Sequence, residues 1–294
     1  MRWRRASVGR VLACAGIAVV LVGGCGSGAS PTPAPAGTSA AGLVVPGRVA
    51  TAGTLTWCTD VSYPPGESYA ADGTTPEGFD VDIAAEIARR WGVTNKVQAT
   101  GWDALLSTLK GNGCDLVIST MSSTFEDRTK QADFVDYLRP WTALVVAAGN
   151  PKRIHTLEDL AGKTVGVEAS DAFATAALAS ASDTLVAAGK PRIGIATATQ
   201  SEDVWIDRLV AGKFDALAGD SVHAAYHAAL PPYAGKAEVG GPAIDPQPIG
   251  IAVRKDDAGM KEAVAAVIDA IYADGTMKAI VERWGIADAV ELLR

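Results

Sequence analysis

Histidine is scarce in this 294-residue chain, three in all, and there are only four cysteines. A metal site needs three or four ligands. His223 and His227 stand i, i+4 on a predicted helix, but His155 is isolated and no cysteine stands at a companion spacing, so neither a metal nor a cofactor is expected. Asp82 and Glu86, also i, i+4, read as the solvated face of their helix. Neither a Gly-x-Ser-x-Gly elbow nor a P-loop is present, which leaves serine-hydrolase and nucleotide-binding readings without support. Basic residues are outnumbered too, 26 Lys and Arg against 33 Asp and Glu. The first 24 residues carry Arg2, Arg4, Arg5 and Arg10 and no acid, so without them the net charge falls from −7 to −11. Such a body has no Lys/Arg surplus to neutralise phosphates, which argues against nucleic acid as a partner.

A long membrane span is also missing. The apolar stretch from Val11 to Gly24 is 14 residues, short of the roughly 20 that cross a bilayer as a helix. It follows a basic start, Met-Arg-Trp-Arg-Arg, and so reads as an export signal over residues 1–24. Leu21-Val22-Gly23-Gly24-Cys25 resembles the lipobox of bacterial lipoproteins, which implies that Cys25 is lipidated and becomes the new N-terminus. The twin Arg4-Arg5 leaves Sec or Tat export open. Residues 25–50, with Ser30-Pro31-Thr32-Pro33-Ala34-Pro35, are too poor in large apolar groups to build a core and read as a disordered tether, with order starting near Thr54. Cys14 leaves with the signal, so Cys58 and Cys114 alone reach the folded body. Counting from predicted strand ends sets an aligned pair roughly 10 Å apart, so a bridge needs a register offset; a disulfide and two buried thiols both stay open.

What is present is alternation, in a composition 48% hydrophobic and 20% charged that suits two domains. Leu55–Asp60, Lys96–Thr100 and Asp115–Ser119 read as strands. Phe79–Trp91 places Ile83, Ile87 and Trp91 on one helix face, and Trp102–Lys110 reads as the next helix. A second set follows: strands Ala143–Ala148, Thr164–Glu168, Arg192–Ala196 and Ala216–Ala218, with helices Thr156–Leu160, Asp171–Leu178, Asp203–Val210 and Ser221–Ala229. Strand Gly250–Val253 and helices Met260–Ala273 and Thr276–Trp284 return to the first type. The order predicts an α/β fold of βαβ units with parallel-rich sheets.

Several segments in order resemble the bacterial extracellular solute-binding proteins of family 3, across roughly residues 53–286. They are Gly53-Thr54-Leu55, Tyr63-Pro64-Pro65, Gly78-Phe79-Asp80-Val81-Asp82-Ile83-Ala84, Trp102-Asp103-Ala104-Leu105-Leu106 and Gly113 to Ser119; Arg128 with Asp133-Phe134; Leu157 to Val167; Gly212-Lys213-Phe214-Asp215-Ala216; Gly250 to Lys255; and Asp274-Gly275-Thr276 with Arg283-Trp284-Gly285. The resemblance implies a two-lobed periplasmic-binding-protein-like fold of type II. Lobe 1 would be residues 51–140 plus 249–294 and lobe 2 residues 141–248, with crossings near Pro140 and Pro248. It further implies a monomeric receptor on the extracytoplasmic face that hands an amino-acid-like solute to the permease of an ABC importer.

Open parallel sheets bind ligands beyond the carboxyl ends of their strands, where Asp60, Ser119, Ser170 and Asp220 fall. A zwitterion needs a cation for its carboxylate and an acceptor for its ammonium group, and the family positions for these map onto Arg128 and Asp220. Ser119, Thr120, Ser122 and Ser123 are further hydrogen-bonding candidates, and Ser170 opens a helix whose N–H groups share the anion. Asp60, Tyr63 and Trp102 form the expected side-chain pocket, with Glu67 and Glu168 as further candidates; aromatic faces with carboxylates favour a cationic group. Two departures stand out. Thr124 to Arg128 is four steps where the family usually has three, and Ser170-Asp171 stands where it prefers Gly-Thr or Gly-Ser. Two other classes share the resemblance: a secreted cyclohexadienyl dehydratase, with Glu168 or Glu67 as its acid, and a ligand-sensing partner of a membrane kinase.

Overall fold

The computed structural model describes residues 37–38, 42–169, 171–198, 202–255 and 257–294. Among these, strands β1 Thr54–Thr59, β2 Thr94–Ala99, β3 Leu116–Val117, β4 Ala132–Leu138, β5 Thr142–Ala147, β6 Thr164–Glu168, β7 Gly194–Ala198, β8 Ala216–Asp220, β9 Ala237–Ile244 and β10 Ile249–Arg254 build two five-stranded sheets. One sheet runs β2-β1-β3-β10-β4 and the other β7-β6-β8-β5-β9.

Uniformly parallel pairing does not hold. In the first sheet β1 is parallel to β2 and β3, whereas β10 is antiparallel to β3 and β4. The second repeats this, with β6 parallel to β7 and β8 and β5 antiparallel to β8 and β9. The reason lies in the crossings. β4 leads to β5 through 139–141 and β9 to β10 through 245–248 without a helix, and a strand entering a sheet this way has made no βαβ crossover within it. Strands β4 and β9 had no counterpart in the sequence reading. β9 carries Gly240-Gly241-Pro242, which reads as loop, but it is an edge strand, where a missing N–H is tolerated.

Helices cover the sheets where apolar residues recur at helical spacing. Helix Phe79–Trp91 buries Phe79, Ile83, Ile87 and Trp91 against the first sheet, each contributing roughly 1.5–3 kcal/mol, and ends at Gly92 in the left-handed conformation. Helix Ala172–Ala187 runs well past Leu178 because Ala181, Ser182 and Leu185 continue its buried face. The expected helix Trp102–Lys110 is a 3₁₀ turn, Trp102–Ala104, followed by helix Leu105–Lys110.

Near the first sheet one reading needs correction and one open alternative is decided. Order begins before Thr54: helix Gly47–Ala52 docks Val49, with Val45 ahead of it, into the first core, and Arg48 Nε lies 2.9 Å from the Asp115 carboxylate. A few apolar residues at helical spacing were enough to fix a segment whose flanks read as tether. Cys58 and Cys114 form a disulfide with Cα atoms 5.9 Å apart. Cys58 stands opposite Val117 in the parallel register, but Cys114 precedes β3, in the turn leading into it, so the in-line spacing of strand residues does not apply.

Candidate functional site

The carboxyl ends of β1, β3, β6 and β8 converge on a cavity of about 670 Å³ between the sheets. Asp60 follows β1, Ser119 and Thr120 follow β3, Glu168 ends β6 and Asp220 ends β8. All five line the cavity, as do Tyr63, Trp102, Ser122 and Arg128. Ser170 and Cys25 lie outside the described residues.

Arg128 sits in the one-turn helix Glu126–Thr129. Its Nη1 donates to the Ser122 carbonyl oxygen at 3.2 Å. The guanidinium carbon lies 5.2 Å from the Trp102 ring centroid and 4.6 Å from that of Phe125. Burial lowers its pKa, and among the described residues no carboxylate reaches it within 4.0 Å. The guanidinium is thus half-desolvated, faces two aromatic rings and lines the cavity.

Asp60 is fixed from both sides. Its Oδ2 accepts the Trp102 N–H at 2.9 Å, which starts the Trp102–Ala104 turn, and its own N–H donates to Ser119 Oγ at 3.0 Å. Ser119 Oγ donates in turn to Glu67 Oε1 at 2.8 Å, so this hydroxyl is committed within the protein. Thr120 occupies the left-handed region at φ 43, a strain on the order of 1–3 kcal/mol for a β-branched residue. What holds it there is a buried carboxyl pair. Asp80 Oδ2 accepts the Thr120 N–H at 2.6 Å, and Thr120 Oγ1 lies 3.1 Å from both Asp80 Oδ2 and Glu67 Oε2. Tyr137 donates to Asp80 Oδ1 at 2.7 Å. Burial, then the Asp80 charge, pushes Glu67 well above the carboxylate range; burial pushes Asp80 to about 6. Two glycines make room. A Cβ on Gly66 would meet Thr120 Oγ1 at 2.5 Å, and one on Gly78, at φ 143, would meet the Gly66 carbonyl oxygen at 1.9 Å.

Asp220 caps helix Ser221–Ala229, with Oδ1 accepting from the N–H groups of Val222 at 2.9 Å and His223 at 3.2 Å. Burial raises its pKa, opposed by these bonds and by a hydrogen bond from Tyr63. Capping and cavity lining are therefore combined in one residue. Asp171 does likewise, since its Oδ1 caps helix Ala172–Ala187 through the Ala174 N–H at 2.8 Å while the residue lines the cavity. His223 and His227 have ring centroids 4.3 Å apart, and His223 Nδ1 lies 2.9 Å from the Pro64 carbonyl oxygen.

Sequence reasoning missed Phe125, Trp141, Phe173, His223 and Gln247 as cavity residues. Phe125 carried one usable signal, its place three residues before Arg128. His223 carried another, one helical turn beyond Asp220. Trp141 and Gln247 sit on the crossings, where neither period nor motif singles them out.

The family model for bacterial extracellular solute-binding proteins, family 3, matches residues 55–287. The L-cystine-binding protein TcyJ of Escherichia coli K12 is 28% identical over 249 residues, 83% of this chain and 87% of that protein. The lysine/arginine/ornithine-binding periplasmic protein of the same strain is 30% identical over 235 residues, 77% and 85% of the two chains. Among solved structures, the Ancestral Cationic Amino Acid Solute Binding Protein (AncCDT-1) aligns with a TM-score of 0.65 at 27% identity, covering 81% of this chain and 97% of that one. AncCDT-1, also solved in a second structure, is described as a precursor of cyclohexadienyl dehydratase. With two lobes of mixed sheet, a cavity at the strand ends between them, and a family match over most of its length, the chain belongs to the bacterial extracellular solute-binding proteins of family 3.

Proposed function

We propose that the chain is the substrate-binding component of an ABC importer, anchored by lipid at Cys25 on the extracytoplasmic face, and that it takes an amino acid of net positive charge. One observation carries the reading: the cavity is lined by the carboxyl groups of Asp60, Glu168, Asp171 and Asp220 against the single guanidinium of Arg128 among the described residues. A ligand with one anionic and two cationic groups complements that balance. Arg128 takes the α-carboxylate, Asp220 the α-ammonium, and Asp60, Tyr63 and Trp102 the side-chain cation, with Ser122 and Ser170 in support; Ser119 and Thr120, whose hydroxyls are bonded within the protein, shape the wall. Relatives named for lysine, arginine, ornithine and histidine agree with this class. Residues 51–140 with 249–294 move as one lobe and 141–248 as the other, and the monomer hands its solute to permease subunits.

The test is a thermal-shift and calorimetric panel of L-arginine, L-lysine, L-ornithine, L-histidine, L-cystine, L-glutamine and putrescine. Binding confined to the cationic amino acids supports the reading, and a response to glutamine or putrescine alone overturns it. A dehydratase reading is favoured by one feature, the acid form of Glu67 at the cavity wall, and by the AncCDT-1 likeness. Conversion of prephenate or arogenate by the purified protein would support that reading over simple binding.

A further inference from the structure

At the cavity wall, two carboxyl groups meet on one hydroxyl. Glu67 Oε2 and Asp80 Oδ2 each lie 3.1 Å from Thr120 Oγ1, and both side chains are fully buried. A hydroxyl has one hydrogen, so it cannot donate to two carboxylates at once. The groups hydrogen-bonded to the pair carry no positive charge: Ser119 and Thr120 from the turn after β3 and Tyr137 from β4, with the Thr59 hydroxyl and the Asp60 N–H reaching Ser119 in turn. Among the described residues no Lys, Arg or His lies within 4.0 Å of either carboxyl in an ion pair. Two adjacent buried charges of one sign with no cation cannot both persist, so one proton must remain between them.

The hydrogen bonds say where it resides. Asp80 receives an N–H at 2.6 Å, which can only donate, and the Tyr137 hydroxyl at 2.7 Å. Asp80 is thereby the ionised acceptor, and Glu67, which receives the Ser119 hydroxyl at Oε1 and stands beside Thr120 Oγ1 at Oε2, is the acid of the pair.

We propose that Glu67 is a positioning residue: protonated and paired with ionised Asp80, it locks the strained Thr120 turn in its cavity-facing conformation, so the receptor's binding surface depends on one buried proton. The proposal does not depend on which solute is bound. Loss of that proton would set two carboxylates against each other under Thr120 and release the Thr120 N–H. The coupling also explains the close approach that requires glycine at 66, since any larger residue would push Thr120 Oγ1 off the pair.

The test uses ligand-free protein. At neutral pH, infrared difference spectra of wild type minus Glu67→Gln should contain one protonated carboxylic-acid C=O band. Amide hydrogen exchange should show Thr120 protection falling by about tenfold in Glu67→Ala and returning to within about threefold of wild type in Glu67→Gln, whose amide donates permanently to Asp80. In wild type that protection should weaken at alkaline pH beyond the intrinsic trend, and in Glu67→Gln it should not. Absence of the acid band overturns the proposal, as does Thr120 protection unchanged by Glu67→Ala. Should Glu67→Ala fail to fold, the band and the contrasting pH profiles of wild type and Glu67→Gln still decide it.

Discussion

The imidazole of His223 stacks on the phenol ring of Tyr63, with centroids 4.6 Å apart and planes inclined by 12°. Tyr63 lies in the short strand Ser62–Tyr63 that follows β1 of the first sheet, and His223 in helix Ser221–Ala229 that follows β8 of the second, so the pair crosses the cleft. His223 Nδ1 lies 2.9 Å from the Pro64 carbonyl oxygen; a carbonyl only accepts, so Nδ1 carries the hydrogen. Asp220 completes the cluster by capping the His223 helix while bonding Tyr63. Phe125 and Phe173 make a second crossing, with centroids 6.1 Å apart.

Arg128 provides a sharp test of the anion site. Replacing it with Ala should weaken L-arginine binding by about 2–5 kcal/mol in calorimetry, the cost of stranding one partner of a desolvated charge pair. Arg128→Lys should recover less than half of that loss, because an ammonium neither forks nor stacks between Trp102 and Phe125 as a guanidinium does. A loss of tenfold or less in Arg128→Ala would place the carboxylate elsewhere in the cavity.

Stability should respond to pH through the buried pair. Glu67 and Asp80 both hold their protons more tightly folded than unfolded, the first well above 4.5 and the second to about 6 instead of 3.8. Raised carboxyl pKa values favour folding while the groups are protonated, so this contribution is complete below the unfolded values and is lost as pH climbs through about 6 and beyond. The Tm of wild type minus that of Glu67→Gln/Asp80→Asn should therefore fall between about pH 5 and pH 8. Carboxylates shifted downward elsewhere, such as Glu86 and Asp215, are common to both proteins and cancel. A difference that grows with pH would contradict the assignment.

Much of the architecture was legible because burial writes a period into the sequence. Helices Phe79–Trp91 and Ser221–Ala229 and strand Thr164–Glu168 lie where spacing and punctuation put them. What escaped was set by tertiary context. β9 is a strand because β5 offers an edge, not because Ala237–Ile244 prefers one. The bridge between Cys58 and Cys114 depends on a turn whose path no periodicity reports. In the cavity, residues attached to strand ends were legible, since chain order alone sets them at the rim. Phe125, Phe173 and His223 arrive from the opposite face or a neighbouring turn, and their roles exist only once the lobes face each other.

Anchoring rests on the sequence. Cys25→Ser should shift the protein from the detergent phase to the aqueous phase, or leave it uncleaved, with ligand affinity unchanged. Wild type found in the aqueous phase would remove lipid from the account.

The last prediction concerns closure. Cavity residues are divided between the lobes, with Asp60, Trp102 and Arg128 on one and Asp171 and Asp220 on the other, so a ligand touching both stabilises whatever arrangement brings them together. The crossings at 139–141 and 245–248 are short, and the Gln247 N–H donates to the Pro140 carbonyl oxygen at 3.0 Å, tying the two strands of the hinge to each other. If the crossings hinge, the stacked Tyr63–His223 pair should resist opening. A stacked pair and a hydrogen bond together contribute about 2 kcal/mol, which is roughly thirtyfold in the closing equilibrium. His223→Ala should thus release L-arginine faster by about that factor while association changes little. Small-angle scattering on residues 42–294 should show ligand-dependent compaction in wild type that saturates with the binding curve, and in His223→Ala compaction that requires more ligand. Equal release rates in the two proteins would mean that the stacked rings pass across the cleft without holding it shut.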